Sequence, residues 1–226
     1  MAAIQTILTF HSIGPLDRQA EDDEMHYNVS TELFREWIAT IARSSPHCIV
    51  TFDDGNKSDI EIVLPILKKH GITGKFYPIV NKVGQHGYMT WDDIRTLVEM
   101  GMQIGSHGLD HVAWTDCSQD QLLVELQQSR ETLVRELNTQ IICAAAPFGA
   151  ISPRVFHAAM KAGYKKLYTS SSRSSFTGSS LVPRYSVQSH MTPADYFGYQ
   201  TKLGCRVRSS LKNFAQNVRY SVGYSK

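Results

Sequence analysis

Asp53 and Asp54 stand side by side in the run Thr51-Phe52-Asp53-Asp54-Gly55. On an extended backbone, adjacent carboxylates point to opposite sides. One can then hold a cation while its neighbour takes a proton. Gly55 permits a tight turn directly after them. The same residues also suit a plain turn, so the pair alone does not define a site. The apolar run before it, residues 48–52, reads as a buried strand that delivers both carboxylates at its end. A second group is Ser106-His107-Gly108-Leu109-Asp110-His111. Histidines at i and i+4 can reach one metal ion, although such pairs are common by chance. Gly105 and Gly108 oppose a regular helix and favour a shaped loop. Adding one carboxylate makes a His-His-Asp set, the pattern of a catalytic ion with positions left for water and substrate.

The elements that must position these residues alternate. Strands are expected at residues 4–10, 48–52, 75–80, 102–105, 141–146, 166–169 and 181–187. Helices are expected at 31–43, 59–70, 91–100, 118–137 and 153–162, with a last one starting at 194–199. Ser30 or Thr31 can cap the first helix and Ser118 the longest. The serine-rich stretch 170–180 reads as a loop or lid. Strand-then-helix order implies parallel strands joined by helical crossovers, and its closed form is a (β/α) barrel. His11, Asp53-Asp54, His107 and Pro147-Phe148 all follow the C-terminal ends of expected strands, where that architecture places chemistry.

The chain has 226 residues, 42% hydrophobic and 19% charged, with a formal charge of +2. This composition excludes a disordered chain. The last 26 residues carry Lys202, Arg206, Arg208, Lys212, Arg219 and Lys226 with no Asp or Glu. Such a tail suits an acidic membrane surface or a phosphorylated substrate, with a solvated terminal helix as the plainer and favoured reading. Residues 1–200 are expected to form the domain and 201–226 a basic helix or tail. Cys48 and Cys143 lie in apolar runs and read as small core residues. No signal peptide and no apolar stretch of about 20 residues is visible, so a cytoplasmic location is expected. No nucleic-acid partner is implied.

Over roughly residues 4–190 the sequence resembles the polysaccharide deacetylases, the NodB-homology family (carbohydrate esterase family 4). Thr51-Phe52-Asp53-Asp54-Gly55 is similar to that family's first motif and the segment from Ser106 to His111 to its second. The resemblance implies a NodB-like distorted (β/α) barrel of about seven parallel strands. It also implies Asp53 as catalytic base, with Asp54, His107 and His111 as metal ligands. The third motif, Arg-x-Pro-Tyr-Gly, here reads Ala145-Ala146-Pro147-Phe148-Gly149. Pro147, Phe148 and Gly149 are the expected substrate-binding residues, the amide of Phe148 helping to hold the oxyanion. The arginine that braces the base is replaced by Ala145. Arg184 is the candidate substitute, with a surface arginine as the plainer reading. Thr9-Phe10-His11-Ser12-Ile13 resembles the N-terminal element of the exopolysaccharide and poly-N-acetylglucosamine deacetylases, whose motif order is permuted. His11 is therefore the expected general acid, and His190 the alternative.

The function this implies is removal of N-acetyl groups from an amino sugar in a glycan or a lipid- or nucleotide-linked precursor. The metal is expected to be Zn²⁺, with Co²⁺ or Ni²⁺ as substitutes. Water on the ion would attack, with Asp53 as base and His11 as acid. A homologue that binds glycan or metal without hydrolysing it, and a deformylase of a lipid-linked amino sugar, are the competing expectations. Trp91 and Trp114 read as packing residues, Asp92-Asp93 as helix capping, and His26, His47, His70, His86 and His157 receive no role.

Overall fold

A computed structural model describes residues 4–20, 23–44, 48–200, 211–213, 215–216 and 218–220. In chain order the elements are β1 (Ile4–Phe10), α1 (Thr31–Ser44), β2 (Cys48–Asp54), α2 (Leu64–Lys69), β3 (Gly74–Pro78), α3 (Trp91–Glu99), β4 (Gln103–Ile104), α4 (Gln119–Leu137), β5 (Cys143–Ala145), α5 (Pro153–Lys161), β6 (Lys166–Thr169), β7 (Ser175–Phe176), β8 (Leu181–Pro183), β9 (Tyr185–Ser186) and α6 (Pro193–Gln200). One sheet runs β4-β3-β2-β1, all parallel, with β9 parallel to β1 as well. The second runs β5-β6-β8, also parallel.

Two seams join the sheets into a distorted barrel. Beyond β4, Ser106 bridges to Ala144 of β5 in parallel. At the other side the expected seventh strand is split by Arg184. Before Arg184 the chain pairs with β6, and after it with β1. The interior is filled by Ile7, Tyr77, Ala145, Tyr168 and Val182, contributed by five different strands. Outside, aromatic packing anchors α1 to the sheet, with Phe34 and Trp37 edge-on to Phe10. The alternation of apolar runs with helical periods thus produces the parallel α/β fold it predicts.

Some boundaries depart from expectation. The helix expected at 59–70 begins as a π-helical turn, Asp59–Val63, before becoming α2. Pro65 sits in the first turn of α2, where its missing N–H costs nothing. The stretch read as a loop at 170–180 contains β7, antiparallel to β1. The caps follow the expected chemistry. The Ser30 hydroxyl accepts from Leu33 N–H at 3.2 Å, and Ser118 and Thr90 open capping boxes with Gln121 and Asp93. Cys48 and Cys143 are half-buried and pack against the margins of the core.

Most of the segment 201–226, Cys205 included, lies outside the described residues. Of those that are described, Asn213 and Tyr220 touch the domain while Leu211 and Val218 are exposed. Asn213 donates to the Leu181 carbonyl at 3.2 Å, and the Tyr220 ring lies 5.8 Å from that of Phe156. Among the described residues, no helix is long and apolar enough to cross a membrane.

Candidate metal and active site

The C-terminal ends of β1 and β2, with the loops after β3, β4 and β5, surround a cleft of about 870 Å³. Its lining includes His11, Asp53, Asp54, His107, His111 and Phe148. Parallel pairing explains the convergence. In the register, Phe10 lies opposite Phe52 and Asp53 opposite Tyr77, so consecutive strands release their next residues at one rim.

Asp54 Oδ1 lies 3.5 Å from His107 Nε2 and 3.6 Å from His111 Nε2. Two donors each about 2.1 Å from one tetrahedral ion stand roughly 3.4 Å apart, so the spacing fits a shared ion. Asp54 Oδ1 is buried and has no hydrogen-bond partner, as expected of an oxygen facing a cation. His107 Nδ1 is 2.8 Å from the Ala145 carbonyl oxygen. That contact places the proton on Nδ1 and leaves the Nε2 lone pair toward Asp54. Asp54, His107 and His111 form the one three-residue metal-ligating group found among the described residues. A divalent ion with nitrogen and oxygen ligands fits them.

Asp53 is braced from across the barrel. Arg184, fully buried, donates from Nη1 to Asp53 Oδ1 and from Nη2 to Oδ2, both at 2.7 Å. Its guanidinium stands 5.5 Å from the Tyr77 ring centre and 5.9 Å from that of Tyr168. Nη1 also reaches the Thr51 hydroxyl at 3.3 Å. Burial alone would push the Asp53 carboxyl up. The Arg184 charge opposes it most strongly, His107 next, and the paired hydrogen bonds and His11 add to them, holding Asp53 at about 2. With Ala145 packed in the interior of β5, the guanidinium comes from the junction of β8 and β9.

His11 lines the cleft, its ring 4.9 Å from Tyr27 and its Nδ1 buried without a hydrogen-bond partner. His190 is exposed and does not line it. Phe148 holds a left-handed backbone (φ 57°), with its ring largely exposed and 4.6 Å from that of His111. Pro147 and Gly149 shape this turn from behind and are not part of the lining. Among the described residues six non-glycines have positive φ, and four of them, Asp23, Asp54, His111 and Phe148, line this cleft. This concentration of left-handed backbone at one cleft makes it the candidate functional site.

Several lining residues carry no signal in sequence spacing. Arg18, Tyr27, Tyr88 and Gln188 come from loops and Ser186 from β9. A short 3-10 turn, Glu24–His26, supplies Glu24 and His26, the latter left without a role by sequence reasoning. Arg18 pairs with Glu24 and donates to Asn56 Oδ1 at 2.6 Å while lying over the Tyr88 ring. This ties the loop after β1 to the rim. Asp59 is also new. It is fully buried, neither carboxyl oxygen has a hydrogen-bond partner, and burial with the nearby Asp54 and Asp53 pushes its pKa well up. Trp91 and Trp114 are packing residues, and Asp93 caps α3.

A parallel α/β barrel with this rim defines the class, and comparison with known proteins agrees. The family model for polysaccharide deacetylases matches residues 41–167, and the chain belongs to that family. A putative polysaccharide deacetylase of Bacillus subtilis, YxkH, is 26% identical over 124 residues, 54% of this chain and 44% of the relative. The peptidoglycan-N-acetylglucosamine deacetylase PgdA of Listeria monocytogenes is 25% identical over 115 residues, 50% of this chain and 24% of the relative. The chain thus matches less than half the length of these curated relatives. Among solved structures, the Streptococcus pyogenes deacetylase PplD, in complex with acetate, superposes with a TM-score of 0.76. It is 19% identical, over 88% of this chain and 98% of that one. IcaB from Ammonifex degensii gives 0.71 at 19% identity, over 87% and 95%. These likenesses establish the fold.

Proposed function

We propose that the chain is a metal-dependent deacetylase that removes N-acetyl groups from an amino sugar within a glycan or glycan precursor. The observation that carries this reading is the convergence of Asp54, His107 and His111 beside a carboxylate gripped by Arg184. Zn²⁺ matches the nitrogen and oxygen donors best, and Co²⁺ or Ni²⁺ would suit the same set. When bound, the ion acidifies water toward neutrality and polarises the acetyl carbonyl. Asp53, kept ionised by Arg184, accepts the proton of the attacking water. The water oxygen joins the carbonyl carbon, the C–N bond breaks, and His11 protonates the departing sugar nitrogen. Acetate and a free amine result. The Phe148 amide, in its left-handed turn, is the candidate donor to the developing oxyanion.

Arg184 as stand-in for the motif arginine, with His11 as acid, supports placement in the branch with permuted motifs. It also weakens the competing reading of a non-hydrolysing homologue, whose only support was Ala145. Acetate release from an N-acetylglucosamine oligomer, followed during Zn²⁺ titration of the metal-stripped protein, tests the proposal. Turnover should require metal and be lost in Asp53→Asn while Zn²⁺ binding persists. Undiminished turnover in that variant would refute the assignment of the base.

A further inference from the structure

The loop 106–111 carries two of the three candidate ligands, and its backbone is gripped from both sides. Its carbonyls face the loop after β3. Gly108 O accepts from Val80 N–H and Leu109 O from Asn81 N–H, each at 3.1 Å. Its N–H groups face α4. Glu125 Oε2 accepts from Leu109 N–H at 2.8 Å. The Gly108 N–H donates to Ser106 Oγ at 3.1 Å, Ser106 Oγ to Ser129 Oγ at 2.9 Å, and Ser129 Oγ to the Glu125 carbonyl. Residues 125 and 129 are one helical turn apart, so a single face of α4 holds the Leu109 amide directly and the Gly108 amide through the Ser106 hydroxyl. Glycine is required here, because at Gly108 (φ +82°) a Cβ would lie 2.6 Å from Glu125 Oε2.

Glu125 is only 5% exposed. A buried carboxylate is costly unless it is hydrogen-bonded, and a leucine would fill the same helix face without that cost. Its carboxylate accepts from a backbone amide midway between the histidines. We infer that Glu125 is a positioning residue for the metal ligands, holding the His107–His111 loop so that both imidazoles reach Asp54. The inference rests on reading Asp54, His107 and His111 as a metal set, and extends that set to the helix behind it.

The test measures Zn²⁺ affinity of the 226-residue chain by competition with a colorimetric chelator, alongside the thermal midpoint of the metal-free form. Glu125→Ala should weaken Zn²⁺ binding about 10- to 100-fold, the effect typical of lost outer-shell partners. Glu125→Gln, which keeps an acceptor oxygen at the same reach, should stay close to wild type. Glu125→Asp, which withdraws the carboxylate by one methylene, should weaken binding and serves if the alanine variant does not fold. A purely structural role would lower the thermal midpoint and leave the affinity of folded protein unchanged, and that result overturns the inference. So does a glutamine variant as weak as the alanine one. Failure of the wild type to bind Zn²⁺, or wild-type affinity in Asp54→Ala, overturns the metal reading itself. Wild-type binding that Asp54→Ala abolishes but folded Glu125→Ala retains overturns the Glu125 role alone.

Discussion

Arg184 and Asp53 show how much of this site rests on one pair. Both are buried and joined by two 2.7 Å hydrogen bonds. Removing one partner of such a pair leaves an uncompensated charge, which typically costs about 3–5 kcal/mol. Arg184→Met should therefore destabilise by that order in urea titration and abolish acetate release. Arg184→Met combined with Asp53→Leu should recover much of the stability and none of the activity. Arg184→Lys should not rescue turnover, because an ammonium cannot offer the planar two-point grip. At His11, substitution by Gln should lower kcat about 10²- to 10⁴-fold, the range for a lost general acid. Zn²⁺ affinity should be unchanged. Wild-type kcat in that variant would remove His11 from the mechanism.

The strand ends are the elements on which the site depends. β2 delivers Asp53 in extended conformation, then turns at once through Asp54 (φ 72°) and Gly55 (φ 79°). A Cβ at Gly55 would lie 2.9 Å from Pro78 Cβ on the neighbouring strand. Gly55→Ala should combine strain at positive φ, about 1–3 kcal/mol, with displacement of the Asp54 turn. A lower urea midpoint together with weaker Zn²⁺ binding is the expected result. The π-helical turn that follows places Asp59 in the interior, and helix periodicity at 59–70 gives no hint of it. An extra residue in one turn changes which side chain faces inward without altering the apolar pattern.

At the scale of the whole molecule, two buried carboxyls respond to pH in opposite senses. The folded-state pKa of Asp53 is lowered from 3.8 to about 2. Its contribution, about 2 kcal/mol, is present above pH 3.8 and lost as pH falls through about 2. Asp59 is raised above its ordinary value. Its contribution is therefore full below that value and lost as pH climbs through the folded-state pKa. Asp59→Asn, a neutral isostere, should stabilise the metal-free protein increasingly as pH rises from 3.8 toward the raised folded-state value. Urea midpoints of both proteins across that range check this, and a constant difference would contradict it.

The order of strands and helices, the class of fold and the two motif clusters follow from local pattern alone. Apolar period and capping residues act within a few positions of one another, and the strand-end placement of Asp53, Asp54, His107 and His111 follows from that order. What the chain could not state by itself is which distant residues meet. Arg184 reaches Asp53 because a strand changes partner there and threads a guanidinium between Tyr77 and Tyr168. Glu125 reaches Leu109 because α4 packs behind the ligand loop. The burial of Asp59 depends on one widened, π-helical turn. Such contacts carry no period and no spacing, since each is set by the closure of the barrel across tens of residues. Sequence pattern determined the elements and the candidate ligand types; the tertiary fold decided the bracing of Asp53 by Arg184 and the packing of α4 behind the loop 106–111.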